Sequence, residues 1–285
     1  VSAPDVILVT GADMPQPDEE SPPLVTALAK LGLRAEIRVW REPGPWGDAA
    51  LVVCRTPWDY FAHADEFLAW AECVARATRL ENPARLVAWN AHKSYLRALS
   101  GAGVPVVPTV LVARGADAGA RAEALRPGGE FVVKPAVGGG ALGARRGKAE
   151  DPALIAHLAD LAGRGDVLVQ PFIDTVPGSG ETSLIFFDGQ FSHAVRKLPA
   201  AGDFRVQEHY GGTVAVHDPT PAEMAVAQSA LDAAPEASTY ARIDLVGDPD
   251  APLLMEAELI EPFLFLGSHE PATARFAEVL AARAG

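Results

Sequence analysis

Two stretches of the chain carry residues whose types and spacing suit phosphate chemistry. The first reads Lys134-Pro135-Ala136-Val137-Gly138-Gly139-Gly140-Ala141-Leu142-Gly143-Ala144-Arg145. A lysine ends an apolar run and a glycine-rich loop follows it. Glycines let backbone N–H groups close around phosphate oxygens, and a lysine supplies the countercharge. The spacing matches neither G-x-x-x-x-G-K-[ST] nor G-x-G-x-x-G, so the same residues also read as a surface turn. Lys93, in Asn90-Ala91-His92-Lys93-Ser94-Tyr95, is a second lysine on an expected helix, where a solvated face is the plainer reading.

The second stretch is acidic. Leu254-Met255-Glu256-Ala257-Glu258-Leu259 alternates, so Glu256 and Glu258 share one strand face and Met255, Ala257 and Leu259 the other. Upstream, Arg242-Ile243-Asp244-Leu245-Val246 alternates too, and Gly247 to Pro252 is a turn-forming link. A hairpin centred near Asp250 sets Asp244 opposite Glu256 and Arg242 opposite Glu258. Facing carboxylates destabilise a strand pair unless something positive lies between them. Hard divalent cations take carboxylate oxygens, and Mg²⁺ completes its octahedron with water and substrate phosphate. The apolar residues flanking these acids favour a metal-binding face over an exposed one with Arg242–Glu258 as a surface pair.

The elements that must position these groups follow from hydrophobic pattern. Val6 to Thr10 is a short apolar run ending at Gly11, as in a buried parallel strand. Pro22 to Leu31 reads as a helix, Ala35 to Trp40 and Leu51 to Cys54 as strands, and His63 to Ala77 as a helix. This alternation predicts a parallel sheet over roughly the first 85 residues. Ligands of such sheets sit beyond the carboxyl ends of strands, which directs attention to the segments after Thr10 and Cys54. Ala91 to Ser100 is an expected helix, Phe131 to Pro135 a strand, Pro152 to Gly163 a helix and Val167 to Gln170 a strand. Thr182 to Phe187 and Gln190 to Arg196 then form a hairpin across Asp188-Gly189.

Composition narrows the function classes. The 285 residues are 49% hydrophobic, enough for a substantial core, and 21% charged, which argues against wholesale disorder. The net charge of -13, from 37 acidic and 24 basic residues, repels nucleic acid and anionic membrane surfaces. Neither is an expected partner. Cys54 and Cys73 both read as small core residues in a reduced, cytoplasmic setting. Val1 to Asp5 has no basic region typical of a signal peptide, and Pro105 and Pro108 break the longest apolar stretch.

Taken in order, these pieces resemble the ATP-grasp superfamily of carboxylate–amine ligases along nearly the whole chain. The resemblance implies an α/β and α+β fold: an N-terminal Rossmann-like substrate domain (1–90), a central ATP-binding subdomain (91–175) and a C-terminal antiparallel-sheet subdomain with the Mg²⁺ site (176–285). It implies that Lys93 and Lys134 hold ATP phosphates, with Gly138, Gly139, Gly140 and Gly143 closing over them. Gln170, Pro171, Phe172 and Ile173 match the hinge that reads the adenine edge, with Asp174 or Glu181 near the ribose. An ordinary strand-end polar residue remains the other reading of Gln170. Asp244, Glu256 and Glu258 match the Mg²⁺ ligands, although the last position is often Asn in the family and Glu258 departs from that. Arg196 and Arg205, with Lys197 as the alternative to Arg196, correspond to basic residues that stabilise an acyl-phosphate; a guanidinium fork suits spread phosphoryl charge. Strand-face ion pairs with the abundant acids are the competing reading.

Substrate contacts are expected in Arg55-Thr56-Pro57-Trp58-Asp59-Tyr60, after the third strand. Arg55, Trp58, Asp59 and Tyr60 are the candidates, with Trp58 as a core plug the alternative. His209-Tyr210-Gly211-Gly212 and Glu261-Pro262-Phe263 offer further polar and aromatic groups, or turns. The phrases Arg-Thr-Pro-Trp-Asp-Tyr, Lys-Leu-Pro-Ala and Glu-Leu-Ile-Glu-Pro-Phe-Leu-Phe-Leu resemble most the actinobacterial cyclo-ligases that close O-ureido-D-serine into a ring. The implied activity is C–N bond formation through an acyl-phosphate with ADP release, on a small amino-acid-like carboxylic acid, in a monomer or homodimer. An intermolecular amino-acid or dipeptide ligase and a non-catalytic ATP-binding regulator are the alternatives.

Overall fold

The structure, a computed structural model, describes residues 3–12, 18–126 and 128–285. Its first sheet comprises β1 (Val6–Thr10), β2 (Ala35–Val39), β3 (Leu51–Thr56) and β4 (Arg79–Glu81), in the order β2-β1-β3-β4 and parallel throughout. The apolar run of β1 is buried on both faces because α1 (Ser21–Lys30) and α2 (Ala64–Ala77) flank the sheet. β3 runs two residues past its purely apolar part, carrying Arg55 and Thr56 into the interior. Cys54 is buried there, whereas Cys73 lies on the exposed face of α2, correcting its reading as a core residue. The helix expected from Ala91 is interrupted: α3 (Ala84–Asn90) and α4 (Tyr95–Gly101) flank a short connection that carries Lys93.

The second sheet has the order β5-β8-β6-β7, from β5 (Val110–Val112), β6 (Glu130–Pro135), β7 (Arg145–Lys148) and β8 (Val167–Pro171), with antiparallel pairings. α5 (Ala118–Ala124) and α6 (Pro152–Arg164) cover it and close a core drawn from residues 112–169. The glycine-rich loop joins β6 to β7. Asp151 caps α6 by accepting from the Ala153 N–H, and Pro152 occupies the first turn, where no N–H is missed.

Beyond the short α7 (Val176–Ser179), the third sheet has the order β11-β10-β9-β12-β13 and is antiparallel. Its strands are β9 (Glu181–Phe187), β10 (Gln190–Leu198), β11 (Thr213–Val216), β12 (Tyr240–Asp248) and β13 (Ala251–Glu258). Asp188 and Gly189 both adopt positive φ, 51° and 72°, as the tight turn between β9 and β10 requires. α8 (Pro221–Asp232), opened by a Thr220–Glu223 capping box, packs behind β12 and β13. Two packings cross the divisions at residues 90 and 175. α4 lies against the third sheet, and α9 (Ala272–Ala284) returns to the first, where Phe276 and Leu280 meet Leu24 and Leu28. Among the described residues no helix is long and apolar enough to cross a membrane.

Candidate active site

β12 and β13 set Asp244 opposite Glu256 and Arg242 opposite Glu258, as expected. A bulge between Asp244 and Leu245 shifts the rest of the hairpin by one residue, so that Leu245 pairs with Leu254. Met255 therefore packs with Leu253 and Val246 instead of sharing the face of Ala257 and Leu259, a correction to strict alternation along β13. The bulge leaves Arg242, Asp244, Glu256 and Glu258 in their expected pairs. All four side chains therefore share one face of the sheet. The Arg242 guanidinium sits between the acids, 2.9 Å from Asp244 Oδ2 and hydrogen-bonded to Glu258 Oε1. On the same face Lys197 Nζ lies 3.5 Å from Asp244 Oδ2 and pairs with Glu181, while Ser183 Oγ donates to Asp244. Burial would raise Asp244, but Arg242 and Lys197 outweigh it and hold this carboxyl below its usual range. Glu258 goes the other way, to about 7: burial and the neighbouring Asp244 and Glu256 exceed the help from Arg242.

Two lysines enter this face from other elements. Lys93, between α3 and α4, is anchored by its backbone N–H to the Ala136 carbonyl at 2.8 Å. Its ammonium reaches Glu256 Oε1 at 2.9 Å and the Gly138 carbonyl. Burial disfavours that charge, yet Glu256 more than restores it and raises the Lys93 pKa. Lys134, at the end of β6, lies 3.8 Å from Met255 Sδ, and no carboxylate pairs with it among the described residues. Burial lowers its pKa, partly offset by Glu256. Lys134 is thus a half-buried cation without a carboxylate partner among the described residues, close enough to Glu256 and Lys93 to feel both charges.

The glycine-rich loop is held at three points. Lys93 takes the Gly138 carbonyl, His157 Nε2 lies 2.8 Å from the Gly143 carbonyl, and Phe61 packs so close to Gly139 that a Cβ there would overlap its ring. Gly140, Ala141 and Gly143 have φ of 58°, 59° and 73°. Phe61 belongs to the segment after β3, so the loop bridges the first and second sheets. On its other side His209 lies 3.9 Å from where a Gly140 Cβ would be. That brings in the segment holding Arg205, whose guanidinium forks onto Asp203 and lies 3.7 Å above the Tyr210 ring.

Beyond Gln170 the chain leaves β8. The Phe172 N–H donates to the Glu130 carbonyl at 2.8 Å, and Arg146 stacks 3.5 Å above the Phe172 ring. Ile173 packs with Val107, Val206, Val246, Leu253 and Met255 into an apolar wall next to Lys134. Asp174 is exposed, and Glu181 is tied to Lys197.

Several expected site residues have other duties. Arg196 follows the alternation of β10 to the opposite face from Lys197, where it meets Glu223 at 3.4 Å and His217 at 3.1 Å. It is corrected out of the cleft; Lys197 takes the cleft side. Arg55 is fully buried, donating to Glu20 at 2.9 Å and to the Pro262 carbonyl at 3.1 Å, and so is no substrate contact. Asp59 accepts from Trp40 Nε1 at 2.7 Å and the Ala12 N–H at 3.0 Å, which fixes it in the first sheet's crest. Trp58 Nε1 donates to the Glu261 carbonyl at 3.0 Å. Gln170 is buried and donates to Thr109 at 2.9 Å, the strand-end role rather than a nucleotide contact. Of the Arg55–Tyr60 loop only Tyr60 lines the cleft.

The cleft is small and open to solvent, bounded by Tyr60, Lys93, Tyr95, Gly138, Glu256 and Glu261 among others. Tyr95 is an addition that residue types alone did not single out, whereas Glu261, offered in sequence among the further polar groups, does line the cleft. Burial, with Glu258 and Glu256 nearby, pushes Glu261 up to about 8. Among the described residues no three acidic, His or Cys side chains close around a bare ion. Mg²⁺ needs no such cage, since one or two carboxylates plus waters and phosphates complete it. The opposed Asp244 and Glu256, with Glu258 beside them, fit that donor set.

Comparison with known proteins places this geometry. Residues 6–82 match the family model described as D-cycloserine synthetase DcsG, N-terminal domain, and residues 104–257 that of the prokaryotic glutathione synthetase ATP-grasp domain. The cycloserine biosynthesis protein DcsG of Streptomyces lavendulae is 38% identical over 299 aligned positions, covering 97% of each chain. The crystal structure of D-cycloserine synthetase DcsG superposes with a TM-score of 0.88 at 36% identity, over 98% of this chain and 99% of that one. At the level of fold alone, the ATP-grasp ligase PsnB with minimal precursor, Mg and ADP matches with a TM-score of 0.65 at 17% identity, over 98% of each chain. D-alanine–D-alanine ligase from Bacillus anthracis matches at 0.67 and 16%, over 98% of this chain and 95% of that one. With a lysine-lined glycine loop facing an acidic hairpin, and a relative similar from end to end, the chain belongs to the ATP-grasp superfamily of ATP-dependent ligases, in the D-cycloserine synthetase family.

Proposed function

We propose that this enzyme uses Mg²⁺ and ATP to phosphorylate the carboxylate of O-ureido-D-serine and close it to D-cycloserine. The observation that carries the reading is the 38% identity to DcsG along 97% of both chains. Lys134, with no carboxylate partner among the described residues, and Lys93, paired with Glu256, are the lysines that support it.

Lys134 and Lys93 take phosphate oxygens, and the loop from Gly138 to Gly143 covers them with backbone N–H groups. The backbone at Pro171–Ile173 meets the adenine edge, with the Ile173–Met255 wall against its face. Asp244, Glu256 and Glu258 are the residues that would hold Mg²⁺, which would supply positive charge to offset that of the phosphates. A substrate carboxylate oxygen attacks the γ-phosphorus and the bond to the bridging oxygen breaks, releasing ADP. The acyl-phosphate carbon is then attacked by the ureido nitrogen bonded to oxygen, with loss of phosphate and of that nitrogen's proton. Held in one molecule, such groups reach effective molarities of about 10⁵ M or more. Cycloserine has a bare ring N–H whereas the attacking nitrogen carries a carbamoyl group. One water is therefore consumed, and the group leaves as carbon dioxide and ammonia. Arg205 and Lys197 are the cations available to the acyl-phosphate.

Incubation with O-ureido-D-serine, ATP and Mg²⁺ should give ADP, phosphate and cycloserine with no second amine, as read by mass spectrometry. ADP appearing only when a separate amine is supplied would establish the intermolecular ligase instead. ATP binding without ADP release for any acid would leave a regulator.

A further inference from the structure

Three glutamates face the cleft: Glu256, Glu258 and Glu261. Glu256 is matched by Lys93 and Glu258 by Arg242. The Glu261 carboxylate has no such partner among the described residues, although the residue is only 9% exposed. Its backbone, by contrast, is fixed. The carbonyls of Ile260, Glu261 and Pro262 lie 2.9 Å from Tyr240 OH, 3.0 Å from Trp58 Nε1 and 3.1 Å from Arg55 Nη2. A nine-tenths buried carboxylate without a counterion is costly to keep. Held on a rigid backbone and aimed into a cleft, it is a receptor for a cation that arrives with the ligand.

We infer that Glu261 receives the α-ammonium of an amino-acid substrate and so selects α-amino acids over simple carboxylic acids. This assignment rests on the ligase reading of the cleft. In an α-amino acid the ammonium is borne by the carbon next to the carboxyl carbon. A carboxylate presented for phosphorylation beside Glu256 and Glu258 therefore sets its ammonium just beyond them. Glu261, three residues after Glu258 in the same wall, is the carboxylate there. Tyr60 closes the adjoining side with a ring edge and a phenol rather than a second charge.

The test compares acids that differ only by the α-amino group: O-ureido-D-serine against 3-(ureidooxy)propanoate, and a panel of D-amino acids against their deaminated counterparts. For the wild-type enzyme, KM from ADP release should be about 10- to 100-fold lower for the amino member. Glu261→Gln should collapse that ratio by raising KM for the amino member, with the thermal midpoint reporting that the variant folds. An equal loss on both members, an unaltered ratio, or a raised Mg²⁺ requirement in place of a raised KM would overturn the assignment. If Glu261→Gln does not fold, the wild-type ratio and Glu261→Asp decide. If another amino acid is turned over but O-ureido-D-serine gives no ring, the cyclisation reading falls and the ratio is read on the accepted acid. If no acid yields ADP, calorimetric binding of each pair with Mg²⁺ and ADP decides, and equal affinities overturn the assignment.

Discussion

Lys93 Nζ lies 2.9 Å from Glu256 Oε1, joining the connection between α3 and α4 to the strand that carries the acidic face. Lys134, the other lysine, lies 3.8 Å from the Met255 thioether and has no carboxylate partner among the described residues. The two lysines should therefore respond differently to removal. Lys93→Met strands Glu256 in a buried setting, so it should lower stability as well as activity. The double variant Lys93→Met/Glu256→Gln should recover about 1–3 kcal/mol of that loss in urea unfolding. Lys134→Met should leave stability within about 1 kcal/mol of wild type while cutting ADP release about 100-fold or more. Additive stability changes in the first pair, or a large stability loss at Lys134, would contradict this account.

Gly139 is pressed against the Phe61 ring, leaving no room for a methyl group. Gly139→Ala should cost about 1–3 kcal/mol through overpacking and raise KM for ATP by displacing the loop. Phe61→Leu, which shortens the opposing side chain, should restore much of both in the double variant. A Gly139→Ala protein with unchanged kinetics would mean that the loop's path does not depend on Phe61.

Arg196 and Lys197 are adjacent in β10 and point to opposite faces. Arg196→Ala should keep turnover within about threefold of wild type, since its partners Glu223 and His217 lie away from the cleft. Lys197→Met should reduce activity sharply and cost about 3 kcal/mol or more, because Glu181 and Asp244 lose their shared cation. Steady-state kinetics on both variants would reverse the face assignment if Arg196 proved the sensitive one.

The raised carboxyls set a pH dependence. Burial lifts Glu258 to about 7 and Glu261 to about 8, both from 4.5. Between 4.5 and these values the unfolded chain has released protons that the native protein still holds. Stability from this source is therefore full below about pH 4.5 and is lost as pH rises toward 8. Asp244 and Glu256, held low by their cations, act oppositely and erode stability as pH falls below 4.5. Buried His193, lowered to about 4, also opposes the two glutamates up to pH 6.5. Without nucleotide or metal, denaturant midpoints should therefore decline from pH 6.5 to 8, and Glu258→Gln should flatten the decline. A midpoint rising across that range would refute it.

Some of this was legible in sequence because the information is local. Alternation set Asp244 opposite Glu256 before any coordinates, although the bulge beside Leu245 that brings them into register was not legible, and Asp188-Gly189 marked the tight turn between β9 and β10. Alternation also separates Arg196 from Lys197, but which face becomes the cleft depends on where α4 and β6 arrive. Arg55 looked like a substrate contact because it ends a strand where ligands gather. Its partner Glu20 lies 35 residues away in sequence, and no periodicity announces that pair. Glu261 acquires its character only when Tyr60 and Lys93 are folded against it.

The ties that fix residues 260–266 have a mechanical consequence. Arg55, Trp58 and Tyr240 grip the carbonyls of 260–262, while Glu20 accepts the Leu264 and Leu266 N–H groups at 2.9 Å each. The first and third sheets also share one apolar core, in which Val6 and Leu51 meet Ile185 and Phe187. The second sheet has its principal core in its own strands and helices, and joins the third sheet's core through Leu111, Ala136 and Leu168. The apolar wall has Ile173 just past one end of the second sheet and Met255 on the third. On the proposed reading, an adenine seated against this wall would touch residues of two sheets at once, so its stacking would tie the second sheet to the third across Ile173 and Met255.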